Sequence, residues 1–174
     1  MYPAYEGAVI NLRRILVTTD LSEHSLAAFE HAFSLGLLYA SKVYVLYVVD
    51  TAPPLYTLYG LDGDVQLHAA RLEEESIKKL DRFITSHIGT ERKTVPVVRS
   101  GTAEHEIMRF AEEVGVDLIV MATHGWTGVK HLLMGSVAEK VVRRSTVPVL
   151  TVKPKPMRSE IVRHEDVEME LHLR

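Results

Sequence analysis

Between Asp117 and Val137 the chain reads DLIVMATHGWTGVKHLLMGSV: a short apolar run, a polar glycine-rich segment, then a second glycine followed by a hydroxyl residue. These are residue types that receive anions. Glycine lets the backbone turn sharply and approach a ligand closely, and the first turn of a helix presents N–H groups that have no acceptor inside the helix. Phosphate fits at such a helix start. Gly135-Ser136 opens an amphipathic segment, Val137 to Arg144, with a small residue and a hydroxyl. Neither Gly-x-Gly-x-x-Gly nor Gly-x-x-x-x-Gly-Lys-Ser/Thr occurs in the chain, so from these residues alone a surface turn between buried elements stands beside a nucleotide loop as a reading.

Other chemistry has less support. The nine histidines scatter over separate segments with no His-Glu-x-x-His or comparable pair, so no metal site is expected. His124 is the one histidine inside the glycine loop, where it could touch a phosphate, move a proton or only shape the loop. Asp20, Ser22 and His24 resemble a hydrolytic triad only as letters, because neighbouring residues at a turn point in divergent directions and no Gly-x-Ser-x-Gly elbow exists. Lys130 and His131 could meet phosphates or solvent, and Tyr56 to Tyr59 could cover a ligand or pack on a partner subunit.

The elements that must position this loop can be read from pattern. Ile15 to Thr19 is short and β-branched, stops at Asp20, and predicts a buried first strand. Ser22 is a suitable N-cap for a first helix whose stripe is Leu26, Phe29, Ala32, Phe33, Gly36, Leu37 and Ala40. Lys42 to Val49 predicts a second strand, and the stretch 51–64, with its prolines and glycines, a long irregular connection. Val65 to His87 predicts a helix with Ile77, Leu80, Phe83 and Ile84 on one side. Thr94 to Arg99 predicts a third strand, and a third helix follows Gly101-Thr102 and closes on Gly115. Leu118 to Ala122 is the strand before the glycine loop, and Val147 to Val152 a fifth strand.

Alternating strands and helices make an α/β fold: a doubly wound, open, parallel five-stranded sheet with helices on both faces. Pro96 and Pro148 cannot donate ladder hydrogen bonds, which places the third and fifth strands at the edges and gives the order 3-2-1-4-5. In such a sheet ligands bind where the winding reverses, outside the carboxyl ends of the strands. That crevice lies between Thr18, Thr19 and Asp20 on one side and Met121 to Gly125 on the other. The coincidence of switch point and glycine loop favours the ligand-site reading.

Length and composition bound the alternatives. With 174 residues, 47% hydrophobic and 25% charged, the chain is sized for one globular domain with a substantial core. A net charge of −3 gives no electrostatic reason for a nucleic-acid or anionic-membrane partner. The absence of cysteine excludes disulfides, thiolate metal sites and a Cys nucleophile. No signal-like start and no run of membrane-spanning length is present, so a soluble, cytoplasmic protein is expected. Residues 1–12 read as a lead-in, 13–153 as the domain, and 154–174 as a C-terminal extension. In that extension Val167, Met169, Leu171 and Leu173 alternate with polar residues like an added strand, a disordered tail being the alternative.

These residues together resemble the universal stress protein family, whose hallmark is Gly-x-x-Gly, nine residues, then Gly-Ser or Gly-Thr. Here the match is Ala122-Thr123-His124-Gly125, Trp126 to Met134, and Gly135-Ser136, with Ala122 in place of the first glycine. Thr18-Thr19-Asp20 with Ser22, Tyr47 to Asp50, Gly101-Thr102-Ala103 and Val147 to Val152 extend it over about Arg13 to Lys153. The resemblance implies an adenine nucleotide hydrolase-like fold and, in one branch of the family, an ATP-binding homodimer joined through the fifth-strand edge. In the other branch it implies a regulatory protein that binds no nucleotide. By the resemblance, Asp20 accepts a hydrogen bond from adenine or ribose and the Val48 backbone addresses the adenine edge. Thr18, in place of the proline of the family's best-known ATP binders, lies beside them. Ala122, Thr123, His124, Gly125 and Gly128 wrap ribose and phosphates. Gly135, Ser136 and Val137 hold the phosphates through amides and the Ser136 hydroxyl. The expected cofactor is ATP, alone or with Mg, in a stress-response or regulatory homodimer. A slow ATP hydrolase and an interaction module with an empty crevice remain as alternatives, the first without a Walker lysine or an evident carboxylate pair for magnesium.

Overall fold

The computed structural model describes residues 10–50, 65–88, 94–123 and 134–154, with the side chains of the second helix from residue 71 onward. Five strands form one parallel sheet: β1 (Arg14–Thr19), β2 (Lys42–Val49), β3 (Thr94–Ser100), β4 (Leu118–Ala122) and β5 (Val149–Val152). Their order is β3-β2-β1-β4-β5, as the edge prolines predict. The helices are α1 (Leu26–Tyr39), α2 (Val65–His87), α3 (Ala103–Val114) and α4 (Ser136–Arg144).

The strands are apolar on both faces because both faces are covered. Ile15 and Val17 of β1, Val43 and Val45 of β2 and Val120 of β4 pack with Phe29, Phe33, Leu80 and Phe83 of α1 and α2. The alternate residues Leu16, Tyr44, Leu46, Ile119 and Met121 pack with Ile107, Phe110, Ala138 and Val141 of α3 and α4. Period two in the strands thus divides the core into two layers. A β-carbon on Gly36 would stand 2.8 Å from Val43 Cγ2, so a glycine lets α1 approach β2. Gly115 terminates α3 in the left-handed region, at φ 67°, donating its N–H back to Ala111 and Glu112.

Several expectations need correction. Leu37 lies 77% exposed and Ile77 42% exposed, so both drift off the buried stripes, and in α2 the buried neighbour is instead Ser76. The fifth strand begins at Val149: the Ser145 hydroxyl accepts the Val147 N–H and donates to the Val147 carbonyl, holding those residues in a turn. Pro148 still reaches the sheet through its carbonyl, which accepts from Ile119. The readings of the 51–64 connection, of Tyr56 to Tyr59, of Lys130 and His131 and of the alternating tail lie outside the described residues.

Candidate functional site

β1 ends in two buried threonines, Thr18 and Thr19, and the chain then leaves the sheet at the exposed Asp20. A local knot of hydrogen bonds shapes the exit. Asp20 Oδ1 accepts from both the Ser22 N–H (3.1 Å) and the Ser22 hydroxyl (2.5 Å). The Ser25 hydroxyl donates to the Ser22 carbonyl at 2.7 Å, so the Thr19 hydroxyl, 2.8 Å away, donates to Ser25 and accepts from the Leu21 N–H at 2.9 Å. These bonds hold Leu21 at φ 62°, a left-handed conformation that costs a residue with a side chain about 1 kcal/mol.

Ser22 therefore does not cap α1. Its hydroxyl turns back to the carboxylate two residues earlier, in the manner of an Asx turn, and a short 3-10 turn, Glu23–Ser25, intervenes before α1 begins at Leu26.

On the opposite wall, Gly135 caps α4 with extended backbone (φ −69°, ψ 153°) and accepts the Glu139 N–H, the first intrahelical bond. Its own N–H donates to Thr123 O at 2.5 Å, tying the start of α4 to the end of β4. That bond engages the Gly135 amide within the protein. The amides of Ser136, Val137 and Ala138 are left as the first-turn donors with no acceptor inside the helix, and all three residues line the cavity between the two walls. Ala122 closes β4 opposite Val152 and, unlike Leu21 and Ala40, does not have a positive φ. An alanine methyl is thus accommodated by ordinary strand geometry.

Both walls enclose one cavity of about 280 Å³ at the carboxyl ends of β1 and β4, where the winding direction reverses. Thr18, Asp20, Val48, Ala122, Thr123, Gly135, Ser136 and Val137 all line it. The other expected residues, His124, Gly125 and Gly128, lie outside the described residues. The cavity also has a floor that the sequence did not identify, made by Leu46, Ile107 and Ala138, and the buried Ser25 lines it as well. The signal for it lies in pairing: Leu46 stands in register with Thr18, and Ile107 lies one helical turn beyond Ala103.

Chemically the cavity combines an apolar floor, a carboxylate with hydroxyl neighbours at one end and first-turn amides with the Ser136 hydroxyl at the other. A flat base suits the first, a sugar hydroxyl the second and an anion the third. Among the described residues no group of three or more His, Asp or Glu is placed to hold a metal ion. Behind the wall, Lys140 Nζ meets Glu104 Oε1 at 2.8 Å. The hydrogen bond from Lys140, then that from Glu104's own amide, holds this carboxyl below its ordinary value of 4.5 against the opposing effect of burial.

Comparison with known proteins fits this architecture. The family model described as Universal stress protein family matches residues 11–153. Universal stress protein MJ0531 of Methanocaldococcus jannaschii is 36% identical over 147 residues, which are 81% of this chain and 82% of the relative. Universal stress protein MJ0577 of the same organism is 32% identical over 155 residues, 82% of this chain and 96% of its own. Its solved structure superposes with a TM-score of 0.69, covering 86% of this chain and 100% of that one. A universal stress protein solved in complex with cAMP, at 21% identity and a TM-score of 0.56 over 83% of this chain and 99% of its own, shares the fold. The chain belongs to the universal stress protein family.

Proposed function

We propose that this protein binds ATP in the cleft between the ends of β1 and β4 and acts as a nucleotide-dependent regulatory homodimer in a stress response. The observation that carries the reading is the cavity itself, in which the carboxylate of Asp20 and the first turn of α4 face one space over an apolar floor. In this reading the adenine lies against Leu46, Val48 and Ile107, with the Val48 backbone at its edge. Asp20, its Oδ1 fixed by Ser22, accepts from the ribose or the adenine amine. The Ser136 and Val137 amides and the Ser136 hydroxyl receive phosphate oxygens, and Thr123 with the 124–128 stretch, His124, Gly125 and Gly128 among it, closes over them. Mg would enter with the nucleotide, coordinated chiefly by its phosphates.

The ordinary backbone at Ala122 supports nucleotide binding over an empty crevice, since no glycine-only conformation has been lost there. The homodimer rests on β5, which ends the sheet with partly exposed Val149, Leu150 and Thr151. Among the described residues no helix is long and apolar enough to cross a membrane, in keeping with a cytoplasmic regulatory role. Mass spectrometry of small molecules released from freshly purified protein tests the reading. An adenine nucleotide near one per chain is expected, and its consistent absence, together with no uptake of added ATP, would overturn it.

A further inference from the structure

We propose that the ion pair between Glu104 of α3 and Lys140 of α4 is a positioning latch for the first turn of α4, and through it for the amides that receive phosphate. The inference deepens the nucleotide reading above and rests on it for its ligand.

Burial singles Glu104 out. Its side chain is only 8% exposed, and a carboxylate taken out of water is costly unless it is paired. Glu106, the other buried acid of α3, is satisfied within its own helix by Arg109 at 2.6 Å. Glu104 instead reaches across to α4, and among the described residues this is the one ion pair that joins two helices. The pair also lies directly behind the cavity wall. Glu104 is flanked by Ala103 and, one turn on, Ile107, while Lys140 lies one turn beyond Ser136, and all three of those neighbours line the cavity.

α4 is poorly held otherwise. It has nine residues, of which Ala138 and Val141 are the buried ones, and its remaining ion pair, Arg143 to Glu139, runs along its own surface. Its start is tied to the sheet by Gly135 N–H to Thr123 O. One backbone bond and three small apolar residues, the buried Ala138 and Val141 and the partly buried Val137, are the other restraints on rotation about the helix axis. A charge-assisted bond from Lys140 to a largely immobile buried acceptor fixes it. Lys140 is a positioning residue here, acting on ligand only through the placement of the Ser136 and Val137 amides.

Lys140→Met and Lys140→Arg separate this role from plain stability when two properties are measured. The first is hydrogen exchange of the Glu139, Lys140 and Val141 amides without ligand; the second is the Kd for ATP and for adenosine. In Lys140→Met, exchange at those amides should rise about tenfold while β1 and β4 stay protected. ATP binding should weaken about tenfold, and adenosine, which has no phosphate to misplace, by less than about twofold. Lys140→Arg should behave as wild type. If Lys140→Met does not fold, Lys140→Met combined with Glu104→Gln removes the lone buried carboxylate and serves in its place. Unchanged exchange at α4, or equal weakening of ATP and adenosine, overturns the latch. If wild-type protein binds neither compound, the nucleotide reading fails, and the exchange result alone decides whether the pair holds α4.

Discussion

At the residue scale the site depends on how a few polar groups are already engaged. Ser22 reads as a helix cap in the sequence, yet its hydroxyl donates to Asp20 and the short turn Glu23–Ser25 separates it from the start of α1 at Leu26. The Gly135 N–H, a phosphate donor by the family resemblance, is engaged with the Thr123 carbonyl. Neither could be foreseen, since side-chain and amide partners depend on the path of the turn and not on residue type. Ala122 is the opposite case, a departure from the family motif that strand geometry absorbs. Ala122→Gly is therefore expected to lower stability by about 0.5–1 kcal/mol, from the greater chain entropy of glycine in a strand, without tightening ATP binding. Urea denaturation and a calorimetric titration of the variant check this, and a marked gain in affinity would show that the methyl obstructs the ligand.

Element by element, most of the frame was legible. The β-branched run at Ile15 to Thr19 and the apolar run at Leu118 to Ala122 suit strands buried on both faces, and Pro96 points the third strand to an edge. Helix faces were harder, since Leu37 follows Phe33 by four residues yet lies exposed outside the contact arc, and sequence spacing does not reveal where that arc ends. Gly36, by contrast, marks the closest helix-to-strand approach. Gly36→Ala should destabilise by about 1 kcal/mol, overpacking against Val43 outweighing the better helix propensity of alanine. Pairing it with Val43→Ala should recover part of that loss in a double-mutant cycle, and strict additivity would show that the two side chains do not collide.

Glu104 gives a second test at this scale. Its folded-state pKa is lowered, so its contribution to stability is complete above its ordinary value of 4.5 and is lost as pH falls through the lowered folded value. Wild-type protein should therefore lose stability more steeply than Lys140→Met as pH is taken down from about 5, an effect kept modest by the half-exposed lysine. Urea midpoints across that range measure it, and parallel pH profiles would remove the pair from the account of acid sensitivity.

For the whole molecule, topology produces the site. Reversal of winding between β1 and β4 brings Asp20 and Ser136, more than a hundred residues apart in sequence, to one cavity at the carboxyl edge of the sheet. The two walls were legible as the ends of predicted strands and the start of a predicted helix. The floor was not, because Leu46 and Ile107 read only as core until strand register sets Leu46 beside Thr18 and one turn of α3 sets Ile107 next to Ala103. The β5 edge gives the prediction of a dimer at micromolar concentration in size-exclusion chromatography with light scattering, and a monomeric mass there would contradict it. The most direct measurement is equilibrium binding of labelled ATP to wild-type protein and to Asp20→Ala. Saturable binding of one ATP per chain, weakened at least about tenfold by the substitution, is the predicted result. No binding at millimolar ATP, or equal binding by both proteins, would contradict the account.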